Sequence, residues 1–143
     1  MADFIPNQGE EEILNVLLGK IAQPTLYLGL FSNTPANVNG YGETMLWSNI
    51  TQATGFVSAN EKTLSSGSWT VPTGASSGNP ATYPQQEFVA DAGGASDVAG
   101  YYIRSSNNKL WGVGVNPEVA ASGILKTMLA GAKYRVNPQL GAE

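Results

Sequence analysis

Two apolar, aromatic-rich runs in Val98–Val115 (VAGYYIRSSNNKLWGVGV) flank the polar stretch Ser105–Lys109. That pairing constrains the chain more than any other feature. Asn107-Asn108 supplies the left-handed backbone a tight turn needs, because a short polar side chain tolerates positive φ. In an extended chain Val98, Gly100 and Tyr102 fall on one side, with Ala99, Tyr101 and Ile103 on the other. In the return run Trp111, Val113 and Val115 share a side, with Leu110, Gly112 and Gly114 opposite. A period of two with aromatic and β-branched residues predicts a strand pair. A core hairpin is therefore expected here.

The segments before it follow the same logic. Asn7 stands three residues before Glu10, the spacing of a capping box, and Glu10, Glu11 and Glu12 suit the positive end of a helix dipole. Ile13, Leu14, Leu17 and Leu18 form an apolar stripe, Gly19-Lys20 supplies a stop and Pro24 forbids continuation. One short helix is predicted over residues 8–18. Thr25–Ser32 (TLYLGLFS) alternates with Leu26, Leu28 and Leu30 on one face and Tyr27, Gly29 and Phe31 on the other. Apolar on both faces, it reads as a central strand. Asn33–Glu43 is a Pro-, Asn- and Gly-rich loop, long enough to be a functional excursion or arm, with Met45-Leu46-Trp47 pinning it back.

Further strands are predicted over Gly55–Leu64, Ser68–Val71, Ala81–Ala90, Gly123–Ala130 and Lys133–Leu140. Pro84 demotes the start of the third to an edge or bulge, and Ile124–Ala132 is also compatible with a helix. Pro72–Pro80 reads as a mobile turn, and Asn116–Ala121 as a bend or short helix. About seven or eight short strands after a single helix, with no β-α-β alternation, leave an antiparallel fold. The expected class is mainly β, an antiparallel β-sandwich or jelly roll with one short N-terminal helix, in a single domain over residues 1–143 with residues 1–8 as an extended arm.

Chemistry is constrained mostly by what is missing. The 143 residues contain no histidine and no cysteine. The commonest general base, the commonest metal ligand and thiolate chemistry are removed together. The carboxylates Glu43, Glu61, Glu87, Asp91, Asp97 and Glu118 fall on separate segments without a recognisable motif, so solvated surface is their expected role. Asp91 and Asp97 border a Gly-rich turn but lack the ligand alternation of an EF-hand. Gly112–Val115 has no following helix of the kind that cradles phosphate, so its glycines are expected to admit a close neighbour. Net charge is −4, and the seven basic residues (Lys20, Lys62, Arg104, Lys109, Lys126, Lys133, Arg135) show no cluster in sequence. Nucleic acid is not an expected partner. No apolar run reaches the length of a membrane span, and the acidic start MADFIPNQGEEE does not read as a secretory signal. Asn49-Ile50-Thr51 matches a glycosylation acceptor, read here as coincidence. Trp47, Trp69, Trp111 and Tyr41, in a chain rich in Asn and Gln, are candidates for a sugar platform, with core packing the better reading of Trp111. Charged residues make up only 13%, about half the usual ~25%. Such a neutral-polar surface suits a protein that works assembled.

The order of features resembles small virion proteins of tailed bacteriophages. The resemblance rests on Phe4–Glu10, the Leu-rich helix, Pro24–Ser32 with Thr34-Pro35-Ala36, Gly55-Phe56, Leu64, Trp69, Ala81–Pro84, Phe88, Gly100–Tyr102 and Leu110-Trp111. It spans about Phe4–Leu140. It implies a structural protein, not an enzyme, with no catalytic residues, cofactor or metal. A capsid decoration (cement) protein on the outer shell is expected, with the phage major capsid protein and further copies of itself, as trimer or dimer, as partners. Phe4, Ile5, Pro6, Asn33, Pro35, Asn37, Tyr41 and Trp47 would be its contact arms. The alternative is a tail-fibre or head-fibre module that binds host surface glycan through Tyr41 and Trp47. A carbohydrate-active enzyme using a carboxylate such as Glu87 is the third reading.

Overall fold

A computed structural model describes residues 3–38, 40–72 and 80–141. The predicted turn over Pro72–Pro80 falls largely outside them. The fold is mainly β, and among the described residues all strand pairs are antiparallel. Its frame is one five-stranded sheet built from β1 (Asp3–Phe4), β2 (Leu26–Phe31), β3 (Glu61–Leu64), β7 (Gly100–Ser105) and β8 (Leu110–Val115), in the order β1-β8-β7-β2-β3. Both faces of this sheet are apolar, so both are covered.

On one face Leu26, Leu28, Leu30, Tyr101, Ile103 and Trp111 meet Phe56, Phe88, Met128 and Val136. The second layer is made of short ladders. β5 (Gln86–Val89) pairs β10 (Lys133–Val136), β4 (Ala81–Thr82) pairs β11 (Gln139–Leu140), and β6 (Ala95–Val98) pairs β9 (Lys126–Met128). The chain passes from β6 to β7 through Ala99, changing sheets at that corner. This is a β-sandwich arrangement. On the other face Phe31, Tyr102, Leu110, Val113 and Val115 are roofed by Met45 and Val119, with Val38, Tyr41, Trp47 and Ile50 packed around them. The long loop is thus a cover, and α2 (Pro117–Ser122) completes it.

Several elements differ from the sequence reading for identifiable reasons. The hairpin turn forms as expected, with Asn108 at φ 58°. A bulge between Ile103 and Arg104 in the β7–β8 register leaves Trp111 as the extra residue. A bulge rotates what precedes it by one residue. Trp111 therefore joins the first core while Leu110 joins Val113 and Val115 in the second. The predicted strand over Gly55–Leu64 shortens to β3 because Phe56 bridges Ala90 in the other layer. Around Ser68–Val71, Thr70 makes only an isolated bridge to Thr82. The strand expected over Gly123–Ala130 is confined to β9, and that over Lys133–Leu140 breaks into β10 and β11 around Pro138, which has no N–H to donate.

The helix α1 (Asn7–Leu17) is capped by Pro6, with no side-chain cap from Asn7. Pro6 holds an extended φ and its carbonyl accepts from Gly9 N–H and Glu10 N–H, so the capping box does not form. The apolar stripe is not the buried face either. Gly9 and Glu12 are buried, Ile13 and Val16 half-buried, and Leu14, Leu17 and Leu18 exposed. A Cβ on Gly9 would sit 2.5 Å from the Leu110 carbonyl oxygen, so only glycine lets the helix lie on the β8 backbone. Glu12 then reaches in to accept from Trp111 Nε1–H at 2.7 Å and from Asn107 Nδ2–H at 3.2 Å. The carboxylate expected to serve the helix dipole instead bonds a buried indole.

Across the sheet, Tyr102, Gly29 and Glu61 lie in line on β7, β2 and β3. A Cβ on Gly29 would come within 2.2 Å of the Tyr102 hydroxyl. The ring therefore lies over the glycine, and its hydroxyl donates to Glu61 Oε2 at 2.7 Å. Arg104 donates to both Glu61 oxygens, at 2.8 and 2.6 Å, and Gln52 Nε2–H donates to the Tyr102 hydroxyl at 2.8 Å. The guanidinium also lies 4.5 Å from the Tyr27 ring centroid. Burial, then the hydrogen bond to Glu61, drive the Tyr102 pKa far above the ordinary tyrosine range. Arg104's own hydrogen bonds to Glu61 raise its pKa against the opposing effect of burial.

Two outcomes follow from this arrangement. Gly29→Ala forces the new methyl into the Tyr102 ring, and an overpacking cost of about 1–3 kcal/mol is expected in urea melts. A variant as stable as the parent would contradict the packing described. The second outcome concerns alkaline pH. A raised folded pKa gives stability that is complete below the unfolded tyrosine value of about 10 and lost as pH rises above it. Tyr102→Phe should be less stable at pH about 8 by roughly 1–3 kcal/mol and should lose less stability than the parent between there and pH about 11. Parallel losses in both proteins would show that Tyr102 is not the group responsible.

Candidate functional site

The residues expected to act as arms are spread along the second face. Backbone pairing places Phe4 opposite Val113, and Phe4 and Pro6 are buried with Ile5 half-buried. Asn33 is buried: its Nδ2–H donates to the Asn49 carbonyl at 2.8 Å and its Oδ1 accepts from Thr51 N–H at 2.7 Å. The Tyr41 hydroxyl donates to the Asn33 carbonyl at 2.7 Å while its ring meets Phe31 edge-on. Burial raises the Tyr41 pKa. Trp47 stacks at a tilt on Tyr102, with the Arg104 guanidinium 5.1 Å from its ring. Pro35 opens a short 3-10 turn, and Asn37 Oδ1 accepts from Thr34 N–H and Oγ1–H. Lead-in and loop are fastened together. The Gln8 side-chain carbonyl accepts from Trp47 N–H at 3.1 Å and Leu110 N–H at 2.8 Å, and Asn7 N–H donates to the Glu43 carbonyl. Of this set, Asn37 is exposed and Ile5, Pro35, Tyr41 and Trp47 are partly so.

The carboxylates are likewise engaged or dispersed. Both Glu61 oxygens are taken by Arg104 and Tyr102, Asp91 Oδ1 accepts from Gly93 N–H within its own turn, and Glu87 holds Arg135 at 2.9 Å. Among the described residues no group of three or more acidic side chains could hold a metal ion. Nor is any described helix long and apolar enough to cross a membrane.

Two surfaces stand out among the described residues. The first is the ridge on α1, where Leu14, Leu17 and Leu18 are 56%, 76% and 68% exposed and Ile21 adds to their line. Spacings of three and four residues put these leucines side by side. The second is a cleft of about 430 Å³ between the end of β8 and β10. Lys126, Lys133 and Arg135 all line it, so the fold gathers three of seven cations that show no cluster in sequence. They come from separate strands, β9 and β10, which no sequence spacing announces. Glu118 holds Lys126 at 2.5 Å, and Glu87 holds Arg135 at 2.9 Å with Lys133 at 4.0 Å. The mutual hydrogen bond raises the Lys126 pKa and lowers that of Glu118. Tyr134 forms part of the wall, its hydroxyl accepting from Asn116 Nδ2–H at 3.1 Å, and burial raises its pKa despite that bond. Chemically the cleft is a polar recess whose cations are each engaged by a carboxylate. No family model matches the sequence, and no curated protein or solved structure does either.

Proposed function

We propose that this chain is a structural component of a tailed-phage virion, a cement protein that docks on the capsid shell and stabilises the major capsid lattice. The observation that carries the reading is the α1 ridge. A soluble monomer rarely leaves adjacent large apolar side chains in water, and such a patch marks a surface used in association. The ridge stands on a helix whose opposite side is fixed by Gly9 and the Glu12–Trp111 bond, so it is presented without a large ordering cost. The low charge content supports the same reading, because few side chains need desolvation when the surface is covered. The lattice partner would be an apolar groove on the major capsid protein. A component that binds only the assembled shell stabilises it by linkage. Self-association, as trimer or dimer, belongs to the same proposal.

Quantitative mass spectrometry of virions should find the chain in a simple ratio to the major capsid protein. Shells stripped of it should rebind the purified protein and disassemble at a higher temperature. Leu17→Glu should weaken rebinding by at least about tenfold, as expected from losing the burial of one leucine, with the protein's own melting temperature little changed. A few copies per particle, or full rebinding by the variant, would overturn the cement role.

A further inference from the structure

We propose that the pocket at the start of β2 is a binding site for a neutral saccharide, with Trp69 as the platform for the C–H face of one sugar ring and Gln23, Thr25 and Ser66 as partners of its hydroxyl groups. The pocket has a volume of about 320 Å³ and is lined by Gln23, Pro24, Thr25 and Leu26 on one stretch of chain and by Leu64, Ser66 and Trp69 on another. The proposal goes beyond the cement reading and does not rest on it, because none of the α1 ridge leucines lines the pocket.

The first argument is the set of side-chain groups left without partners. Among the described residues no ionisable side chain lines the pocket, so charge does not select its ligand. The lining offers one amide, two hydroxyls and an indole N–H. No hydrogen bond joins the side chains of Gln23, Thr25, Ser66 or Trp69 to another described residue, and Gln23, Thr25 and Ser66 are exposed. Gln8, Asn33 and Gln52, by contrast, commit their amides to the fold. An amide and a hydroxyl each donate and accept, which is the capacity that a sugar's own hydroxyls require.

The second argument is the platform. Trp69 is partly exposed and rests on the first core. Tyr83, outside the lining, meets it edge-on with ring centroids 5.1 Å apart. The Tyr83 hydroxyl accepts from Ser65 N–H at 2.9 Å, and Thr70 exchanges backbone bonds with Thr82 at 2.8 and 2.9 Å. The indole is therefore held in place before a ligand arrives, which lowers the ordering cost of binding. An aromatic ring suits the C–H face of a pyranose, and Pro24, Leu26 and Leu64 add apolar lining. The volume lies at the small end of ligand sites, enough for one ring and its linkage. An extended peptide would instead need free backbone groups. Here the Thr25 N–H and carbonyl are bonded to Ser106, and Leu26 and Leu64 pair with each other in the sheet.

NMR titration of the isotope-labelled full chain with maltotetraose, cellotetraose and chitotetraose tests the proposal, read at the indole N–H resonances of its three tryptophans. At least one of these sugars should move the Trp69 resonance, leave those of Trp47 and Trp111 in place, and bind with a millimolar Kd or tighter. Added salt should change that affinity by less than about twofold, and oligogalacturonate should bind no tighter than the neutral sugars. Trp69→Ala should reduce the affinity about fivefold or more. Because Trp69 also rests on the core, Thr25→Val gives an independent reading: it removes one exposed hydroxyl and should weaken binding about twofold or more. Absence of binding by all three sugars, movement of the Trp47 resonance in place of that of Trp69, or full affinity in the folded variants would overturn the proposal. So would tighter binding of oligogalacturonate, or a proline-rich peptide that moves the Trp69 resonance where the sugars do not.

Discussion

Tyr102 reaches Glu61 only because nothing stands between them on β2. The glycine at position 29 opens a channel one side chain wide across the centre of the sheet, and the tyrosine ring fills it. Three strands are thereby held in register by one hydrogen bond that spans the middle strand, with Arg104 clamping the far end. A slip of one residue would put a side chain of β2 beneath the ring and break the bond. The network adds little net stability by its charges alone, since half-buried pairs offset their attraction with lost hydration. Its effect is specificity of pairing. It also dictates the roof, because polar groups in this position must be covered without being orphaned. Gln52 completes the tyrosine's bonding, and Trp47 covers both the ring and the guanidinium.

The strands were legible in the sequence wherever a single physical term governs them. Leu26, Leu28 and Leu30 share a core and Phe31 lies in the other, as alternation predicts. The turn at Asn107-Asn108 follows from local backbone chemistry. Legibility fails where two terms compete. Hydropathy assigns the inner face of α1 to Ile13, Leu14, Leu17 and Leu18; of these Ile13 packs on the core, while close contact is set by the absent side chain of Gly9 and by a carboxylate-to-indole bond. Neither scores as hydrophobic. Likewise Trp111 looks like a partner of Val113 until the bulge moves it to the other core.

The same competition explains the loop after β2. Its Pro, Asn and Gly content reads as solvent-facing, and its apolar residues Val38, Tyr41, Met45, Trp47 and Ile50 follow no period of two or 3.6. They need none, since an irregular segment satisfies its backbone by side-chain bonds such as those of Asn33 and Gln8. A stretch rich in Asn is equally the composition of an arm and of a lid stitched down by amides. Only the partners distinguish them, and these lie 16 to 102 residues away.

What distinguishes this molecule is how fully its polar chemistry is consumed internally. Among the described residues every buried side-chain nitrogen and oxygen has a hydrogen-bond partner, and the aromatic rings of the second face are stacked on one another. A recognition role therefore has to come from groups left over at the periphery, among them the exposed leucines of α1 and the polar cleft at the end of β8. The α1 ridge offers apolar surface, and the cleft offers amide and phenol groups with its cations already paired. β8 joins them, all six of its residues buried and its edges bonded to β1 and β7. A strand fixed on both edges and both faces is a rigid element of the frame, held in place by close packing.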